Sequence, residues 1–281
     1  MHEITLEAYA KVNLALDVLY KREDGYHEIN SIMQQINLCD KLTFSDHKDH
    51  IIIQCNSKEL PLDSSNLVYR AWERIKEISG IDRGIKISIQ KNIPIAAGLA
   101  GGSANGAMTL KALNTLWDLG YSDEKLMEIG KTLGADIPFC IYGGTAKAEG
   151  IGEKLTRLKP FKDKYILIAN PGIGISTAYA YSKIDLNSSR YDIDALIDAM
   201  ERDDLLRVAA NLKNRMEVAI LKEYPIIQEI KTSMIKNGAL GSLMSGSGPT
   251  VFGLFDDYDK MEFANKKLSK TFEKVYSCTT I

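Results

Sequence analysis

The sequence predicts an α+β protein of layered sheets and helices rather than a doubly wound parallel sheet. Three observations point that way. A long period-2 apolar run near the N-terminus marks an extended strand, several strand-like segments follow one another with no helix between them, and helical segments fill much of the remaining length. With 281 residues, 45% of them apolar, the chain is long enough for one large or two ordinary domains and for a core that needs no staple.

In the first run Ile4, Leu6, Ala8, Ala10, Val12, Leu14, Leu16 and Val18 hold every even position. Side chains alternate faces along a strand, so Lys11 and Asn13 share the opposite face, away from the core. A run this long is expected to bend or to break into two strands. Asp24-Gly25 marks a turn, and short strands are expected at 41–44, 50–54 and 84–90. Between the last two, Leu67, Ala71, Ile75 and Ile78 recur at helical spacing, with Ser65 or Asn66 as N-cap. After Pro94 a loop of small residues leads into a helix with Ala107, Leu110, Leu113 and Trp117 on one side. Ser122, followed by two acids, opens another helix, which Gly134 stops. Gly150, Gly152 and Pro160 interrupt the pattern at 150–164, and a division into domains 1–155 and 156–281 follows. Beyond it the pattern predicts a strand at 165–169 and helices at 176–184, 192–200, 203–221 and 225–237. Strands at 239–244 and 249–255, a helix at 258–272 and a strand at 274–280 complete the chain.

Composition excludes several classes of function. Lys+Arg is 35 against Asp+Glu 37, a net charge of -2, which argues against a nucleic-acid binder with its basic face. No segment approaches the ~18 consecutive apolar residues of a membrane span. Glu3 and Glu7 stand where a signal peptide would be basic and then apolar, so a cytoplasmic location is expected. Cys39, Cys55, Cys140 and Cys278 are far apart and form no C-x-x-C pair, which fits reduced thiols.

Three loops carry the chemistry. Residues 94–106, PIAAGLAGGSANG, follow a strand and open a helix; small residues let a ligand approach the backbone, and a helix start offers unpaired N–H groups and a positive dipole end. Such a loop is suited to an anion, or it is a tight turn under a neighbouring element. It is not a Walker A loop, because no lysine follows Gly106, and not a Rossmann fingerprint, because Leu99 and Ala100 follow Gly98. A second cluster, SGSGPT at 245–250, has more glycine than a hairpin needs. The third, Gly134-Ala135-Asp136-Ile137-Pro138, makes Asp136 an N-cap, a catalytic carboxylate, or both. His47 and His50 mimic a metal site, but no third ligand lies nearby.

Ala10-Lys11-Val12-Asn13-Leu14, Asp24-Gly25-Tyr26-His27, the loop from Pro94 to Ser103, 134–138 and 245–248 appear in the order seen in GHMP-superfamily kinases, and from 8 to about 252 the chain resembles that family. Ala96, Ala97, Ala100 and Ala104 depart from it, standing where many members have glycine or serine; alanine is costly wherever φ is positive. The resemblance implies a fold of two lobes, ribosomal protein S5 domain 2-like and ferredoxin-like, with the active site in the cleft. It implies transfer of the γ-phosphoryl group of ATP, with Mg²⁺, to the C2 hydroxyl of a cytidyl-diphospho sugar alcohol of the non-mevalonate isoprenoid route. Asp136 would accept or polarise the hydroxyl proton, and Lys11 would keep Asp136 ionised and stabilise the transferring group. Pro94, Ala97, Gly98, Leu99, Ala100, Gly101, Gly102 and Ser103 would cradle the phosphates, with Asn66, Leu67, Lys91 and Asn105 around the adenine. Asn13 and Gly246 would lie near the acceptor. His27 would hydrogen-bond the cytosine between Tyr26 and Tyr181, with Thr177 close by. No carboxylate cluster names a Mg²⁺ ligand. The partners implied are small molecules, with no nucleic acid or membrane, for a monomer or weak homodimer. Another GHMP small-molecule kinase, acting on mevalonate, homoserine or a sugar, and a catalytically silent nucleotide-binding regulator are the alternatives; Asp24-Gly25-Tyr26-His27 argues against the first, and Lys11 with Asp136 against the second.

Overall fold

The even-numbered apolar run forms one unbroken strand, β1 (Glu3–Lys21), so it is not divided into two. The structure, a computed structural model, describes residues 3–281; the first two residues of the N-terminal stretch lie outside them. The next strand, β2 (His27–His47), is longer still, and only its last part was visible as 41–44. Its inner stretch hides Ser31, Ile32, Met33 and Gln34 in succession, so both faces are buried and no alternation marks it.

The chain divides into two compact units, and neither is a single stretch of sequence. One comprises residues up to Ala10, Leu38–Ile95 and Ala100–Gly143; the other comprises Lys11–Asn37, Ala96–Leu99 and Gly144–Ile281. In the first unit, β4 (Gly84–Gln90) pairs antiparallel with the outer part of β2, placing Phe44 beside Ile87, and β3 (Ile51–Cys55) runs parallel to β4. Four helices belong to this unit: α1 (Leu67–Ser79), α2 (Gly101–Leu116), α3 (Asp123–Lys131) and α4 (Ile137–Tyr142). Their apolar faces meet Phe44, Ile85, Ile87 and Ile89 in one core with Leu110, Leu113, Trp117 and Ile137. Asn66 caps α1, its Oδ1 accepting from the Val68 N–H at 2.9 Å, and Gly80 ends the helix at φ 70°. The buried stripe is Val68, Ala71, Trp72 and Ile75; Ile78 is exposed, so the face is turned slightly from the one expected. Ser122 caps α3 as expected.

In the second unit, the expected interruption at 150–164 begins inside a hairpin. Strands β5 (Thr145–Gly150) and β6 (Lys154–Arg157) pair antiparallel, and β5 also pairs with the inner part of β2, Ile32 beside Lys147. A second sheet contains β7 (Tyr165–Asn170), β9 (Gly241–Met244), β10 (Val251–Phe255) and β11 (Lys274–Thr279) in the order β11-β7-β10-β9. Helices precede β9, and α10 (Tyr258–Leu268) joins β10 to β11, so this is the strand–helix–strand–strand–helix–strand arrangement of a ferredoxin-like layer. The intervening helices are α5 (Thr177–Ser182), α6 (Ile193–Glu201), α7 (Leu205–Ala210), α8 (Glu217–Glu223) and α9 (Pro225–Lys236). The single helix expected at 203–221 is instead α7, a two-residue strand β8 (Lys213–Asn214) parallel to β1, and α8. A tertiary demand breaks it: β1 claims 213–214 for its edge, and the Asn214 side chain is used elsewhere in the unit. Among the described residues, no helix is long and apolar enough to cross a membrane.

Candidate active site

The centre of β1 carries its polar residues on a face that is not wet. Lys11 is 5% exposed and Asn13 2%, whereas the alternation alone suggested only a side away from the core. A buried ammonium requires acceptors, and Lys11 Nζ donates to Asn13 Oδ1 at 2.6 Å. The Ser31 hydroxyl donates to the Ala15 carbonyl at 2.6 Å, so it accepts from Asn13 Nδ2 at 2.9 Å. That relay fixes which end of the Asn13 amide faces Lys11, and the cation is held in one orientation.

In the same unit, two glycine-rich loops are pressed together. The Lys11 N–H donates to the Leu99 carbonyl at 3.1 Å, and Ser245 Oγ donates to the Gly98 carbonyl at 2.9 Å. Gly98 has φ +73°; a Cβ there would collide with the Ser245 carbonyl and come within 3.1 Å of the Gly248 nitrogen. A Cβ on Gly246 (φ +55°) would stand 3.2 Å from the Gly98 carbonyl and 3.4 Å from Asn13 Oδ1. The glycine density at 245–248 therefore serves backbone-to-backbone contact as well as the turn between β9 and β10. Ser247 Oγ lies 3.3 Å from Thr177 Oγ1, at the first residue of α5. Lys11, Asn13, Gly98, Gly246 and Thr177 are thus brought together as one neighbourhood.

Sequence reasoning missed the residues that hold this loop. Asn214 Nδ2 donates to the carbonyls of Met244 at 2.7 Å and Gly246 at 2.8 Å, and Glu217 Oε2 accepts from the Met244 N–H at 2.7 Å. Both lie in a segment that reads as plain amphipathic helix, so no local signal singles them out.

The structure brings two of the three aromatic residues together. The His27 and Tyr181 rings stack on each other, centroids 4.7 Å apart and planes 16° apart, while Tyr26 is 59% exposed in its turn. Burial, helped by the nearby Lys21 charge, holds the His27 imidazole below its usual pKa. It is therefore neutral at pH 7, with one donor and one acceptor nitrogen.

In the other unit, Ala100 stands at the N-cap of α2 with φ 57° and no side-chain cap bond. The first N–H groups of the helix, including those of Gly101, Gly102 and Ser103, therefore have no capping side chain. Ala96, which belongs to the second unit, is also left-handed at φ 51°, so two of the four alanine departures, but not Ala97 or Ala104, sit where alanine costs about 1 kcal/mol. Pro94 is buried at the loop entrance. Leu67 packs along α2, its Cβ 3.3 Å from where a Cβ of Gly106 would be. Asn66, Lys91 and Asn105 all have protein partners: Asn66 Nδ2 donates to the Pro61 carbonyl at 2.6 Å, and Lys91 and Asn105 both donate to Asp40, at 2.6 and 2.8 Å. Asp136 occupies the N-cap position of α4, with Pro138 in the first turn, but its carboxylate makes no capping bond. The capping role is therefore positional only. His47 and His50 pack edge to face, and His47 Nδ1 lies 3.1 Å from the His50 carbonyl; no three His, Cys, Asp or Glu among the described residues form a metal site.

The GHMP kinases N terminal domain family matches residues 66–144, and the GHMP kinases C terminal family matches 195–274. The 4-diphosphocytidyl-2-C-methyl-D-erythritol kinase of Clostridium beijerinckii is 45% identical over 278 residues, covering 98% of this chain and 99% of its own. A crystal structure of 4-(cytidine 5'-diphospho)-2C-methyl-D-erythritol kinase superposes with a TM-score of 0.85 at 31% identity, covering 99% of both chains. Homoserine kinase from Cytophaga hutchinsonii shares the fold, with a TM-score of 0.78 at 20% identity over 99% of this chain and 94% of its own. The α+β expectation is borne out. Matched by both family segments, and nearly half identical to a relative of its own length, the chain belongs to the GHMP kinases and, within them, to the 4-diphosphocytidyl-2-C-methyl-D-erythritol kinase family.

Proposed function

We propose that this kinase phosphorylates the C2 hydroxyl of 4-diphosphocytidyl-2-C-methyl-D-erythritol with ATP, giving the 2-phosphate and ADP in the non-mevalonate route to isoprenoid precursors. The observation that carries this reading is the buried Lys11–Asn13 pair set against the loops at 96–99 and 245–248. Phosphoryl transfer needs positioning and charge stabilisation more than covalent chemistry. An oriented ammonium beside two glycine-rich loops answers that need. The names of the full-length relatives support the same acceptor.

In this reading the acceptor oxygen attacks the γ-phosphorus, the bond to ADP breaks, and Asp136 takes up or polarises the hydroxyl proton. Lys11 stabilises charge on the transferring group. Pro94, Ala97, Gly98, Leu99, Ala100, Gly101, Gly102 and Ser103 line the phosphates, and Asn66, Leu67, Lys91 and Asn105 flank the adenine, Asn66 and Asn105 more by shaping the wall than by free side chains. Asn13 and Gly246 border the acceptor, with Thr177 behind them. Neutral His27 reads the cytosine edge with Tyr26 and Tyr181. Mg²⁺ would supply neutralisation of the polyphosphate. A chain without a three-ligand cluster among its described residues fits an ion held chiefly through nucleotide phosphates and water. Domains 1–155, for ATP, and 156–281 fit the two family matches, which fall on either side of that boundary. Cysteines that form no disulfide among the described residues fit a cytoplasmic setting.

The test is ADP release from ATP and Mg²⁺ with a panel of acceptors. Turnover is expected with the cytidyl-diphospho substrate alone. Turnover with mevalonate or homoserine instead would overturn the acceptor assignment, and no turnover with any alcohol would favour a silent nucleotide-binding protein.

A further inference from the structure

Asp40 is fully buried, and four donors converge on its carboxylate. Oδ1 accepts from the backbone N–H groups of Asn92 at 2.7 Å and Ile93 at 2.8 Å; Oδ2 accepts from Lys91 Nζ at 2.6 Å and Asn105 Nδ2 at 2.8 Å. Lys91 Nζ donates in addition to the Ile93 carbonyl at 2.8 Å, and its side chain is only 5% exposed. One carboxylate thereby ties the end of the β2–β4 pairing to the segment entering the glycine-rich loop and to the second turn of α2.

Packing alone does not require such a group, since a buried ion pair is often no more stable than apolar residues of the same volume. What the pair does is place a cation. A Cβ on Gly101 would stand 3.0 Å from Lys91 Nζ, so the ammonium lies against the first residue of α2. A cation at the positive end of a helix is opposed by the dipole. Asp40 offsets that opposition in the protein without ligand, and an anion arriving at α2 meets the cation and the uncapped N–H groups together.

We propose that Asp40 is a positioning residue of the nucleotide site, setting ATP affinity through Lys91 without touching ATP. This rests on the assignment of the 94–105 loop to ATP. Burial pulls the Lys91 ammonium below its usual pKa, and the Asp40 charge, with Cys55 as a weaker neighbour, pulls the other way. Without the Asp40 charge, Lys91 would lose its proton at a lower pH.

The test is the dissociation constant of ADP, by calorimetry, for the wild type, Asp40→Asn, Lys91→Met and the double variant. Asp40→Asn is expected to weaken ADP binding by about tenfold, the worth of a charge-assisted hydrogen bond. The loss should deepen as pH rises, because Lys91 without the Asp40 charge gives up its proton at a lower pH, a titration a purely structural defect would not produce. In the Lys91→Met background, Asp40→Asn should change the constant by less than about twofold. ADP binding unchanged in Asp40→Asn, or an equal loss in the Lys91→Met background, would overturn the proposal. Should Asp40→Asn fail to fold, comparison of the double variant, which leaves no buried charge unpaired, with Lys91→Met decides it by the same twofold criterion. Failure of the wild type itself to bind ADP would instead overturn the nucleotide assignment beneath it.

Discussion

The two halves of β1 obey one alternation rule and put their polar residues to opposite uses. In the outer half, Glu3, Thr5 and Glu7 are exposed; Thr5 Oγ1 lies 2.9 Å from Thr43 Oγ1, and Glu7 pairs loosely with Lys41 at 3.7 Å. In the inner half, Lys11, Asn13, Ala15 and Asp17 are all at most 5% exposed. Periodicity states which side chains share a face, not whether water reaches it. Where it does, an ion pair contributes roughly 0–1 kcal/mol. Where it does not, every polar atom needs a partner, and the same residue types become costly to disturb.

Breaking the inner half should show this most strongly at Asp17. Its carboxylate pairs with Arg215 Nε, both side chains being nearly inaccessible, and accepts from the Tyr191 N–H at 3.0 Å. Arg215 also donates to the Ser189 carbonyl at 2.6 Å, so the pair fastens the segment after α5 to the strand. Asp17→Ala strands the guanidinium and is expected to cost about 3–5 kcal/mol in urea unfolding. A loss below about 0.5 kcal/mol, the level of an ordinary surface change, would erase the distinction between the halves.

A smaller effect is expected at His27, just beyond the next turn. Its pKa in the folded protein lies below the ordinary ~6.5, so the imidazole is neutral at pH 7. The sign is that of a depressed folded pKa: its contribution to stability is present above ~6.5 and is lost as pH falls through the folded value. The KM for the cytidyl-diphospho acceptor should be flat down to about pH 6.5 and rise below it, and His27→Asn should remove the rise. An acceptor KM that climbs already between about pH 8 and pH 7 would contradict the neutral imidazole.

The smallest effect belongs to the outer half. Glu7→Gln and Thr5→Ala should each change stability by less than about 0.5 kcal/mol, with kcat unchanged. A shift above about 1 kcal/mol in either would mean that the outer face is structural after all.

The parts legible in the sequence were those with local causes. Asn66 and Ser122 cap helices because short polar side chains satisfy orphan N–H groups, and the small residues of 94–106 and 245–248 announce close backbone approach. The relation of Lys11 to Asn13 followed from a spacing of two along a strand. What stayed hidden has long-range causes. The inner part of β2 lacks alternation because both faces are covered, and the break at 213–214 arises because β1 takes those residues as its edge. Asp40 and Asp17 look like any surface acid until their partners, 51 to 198 positions away, are assembled. The left-handed backbone of Ala96 and Ala100 is likewise invisible in a residue that normally avoids it.

The central claim, that the Lys11 ammonium on the inner face of β1 is kept for chemistry, where Asp17 on the same face is kept for stability, meets its most direct test at Lys11. Lys11→Met preserves the length of the side chain and removes the buried charge. Urea unfolding should change by no more than about 1 kcal/mol, or move toward greater stability. ADP release at saturating ATP and acceptor should fall by about 10²–10³-fold, the worth of one preorganised charge in a transition state. A variant that unfolds by several kcal/mol more easily yet keeps its turnover per folded molecule would contradict it, and would make Lys11 a structural residue.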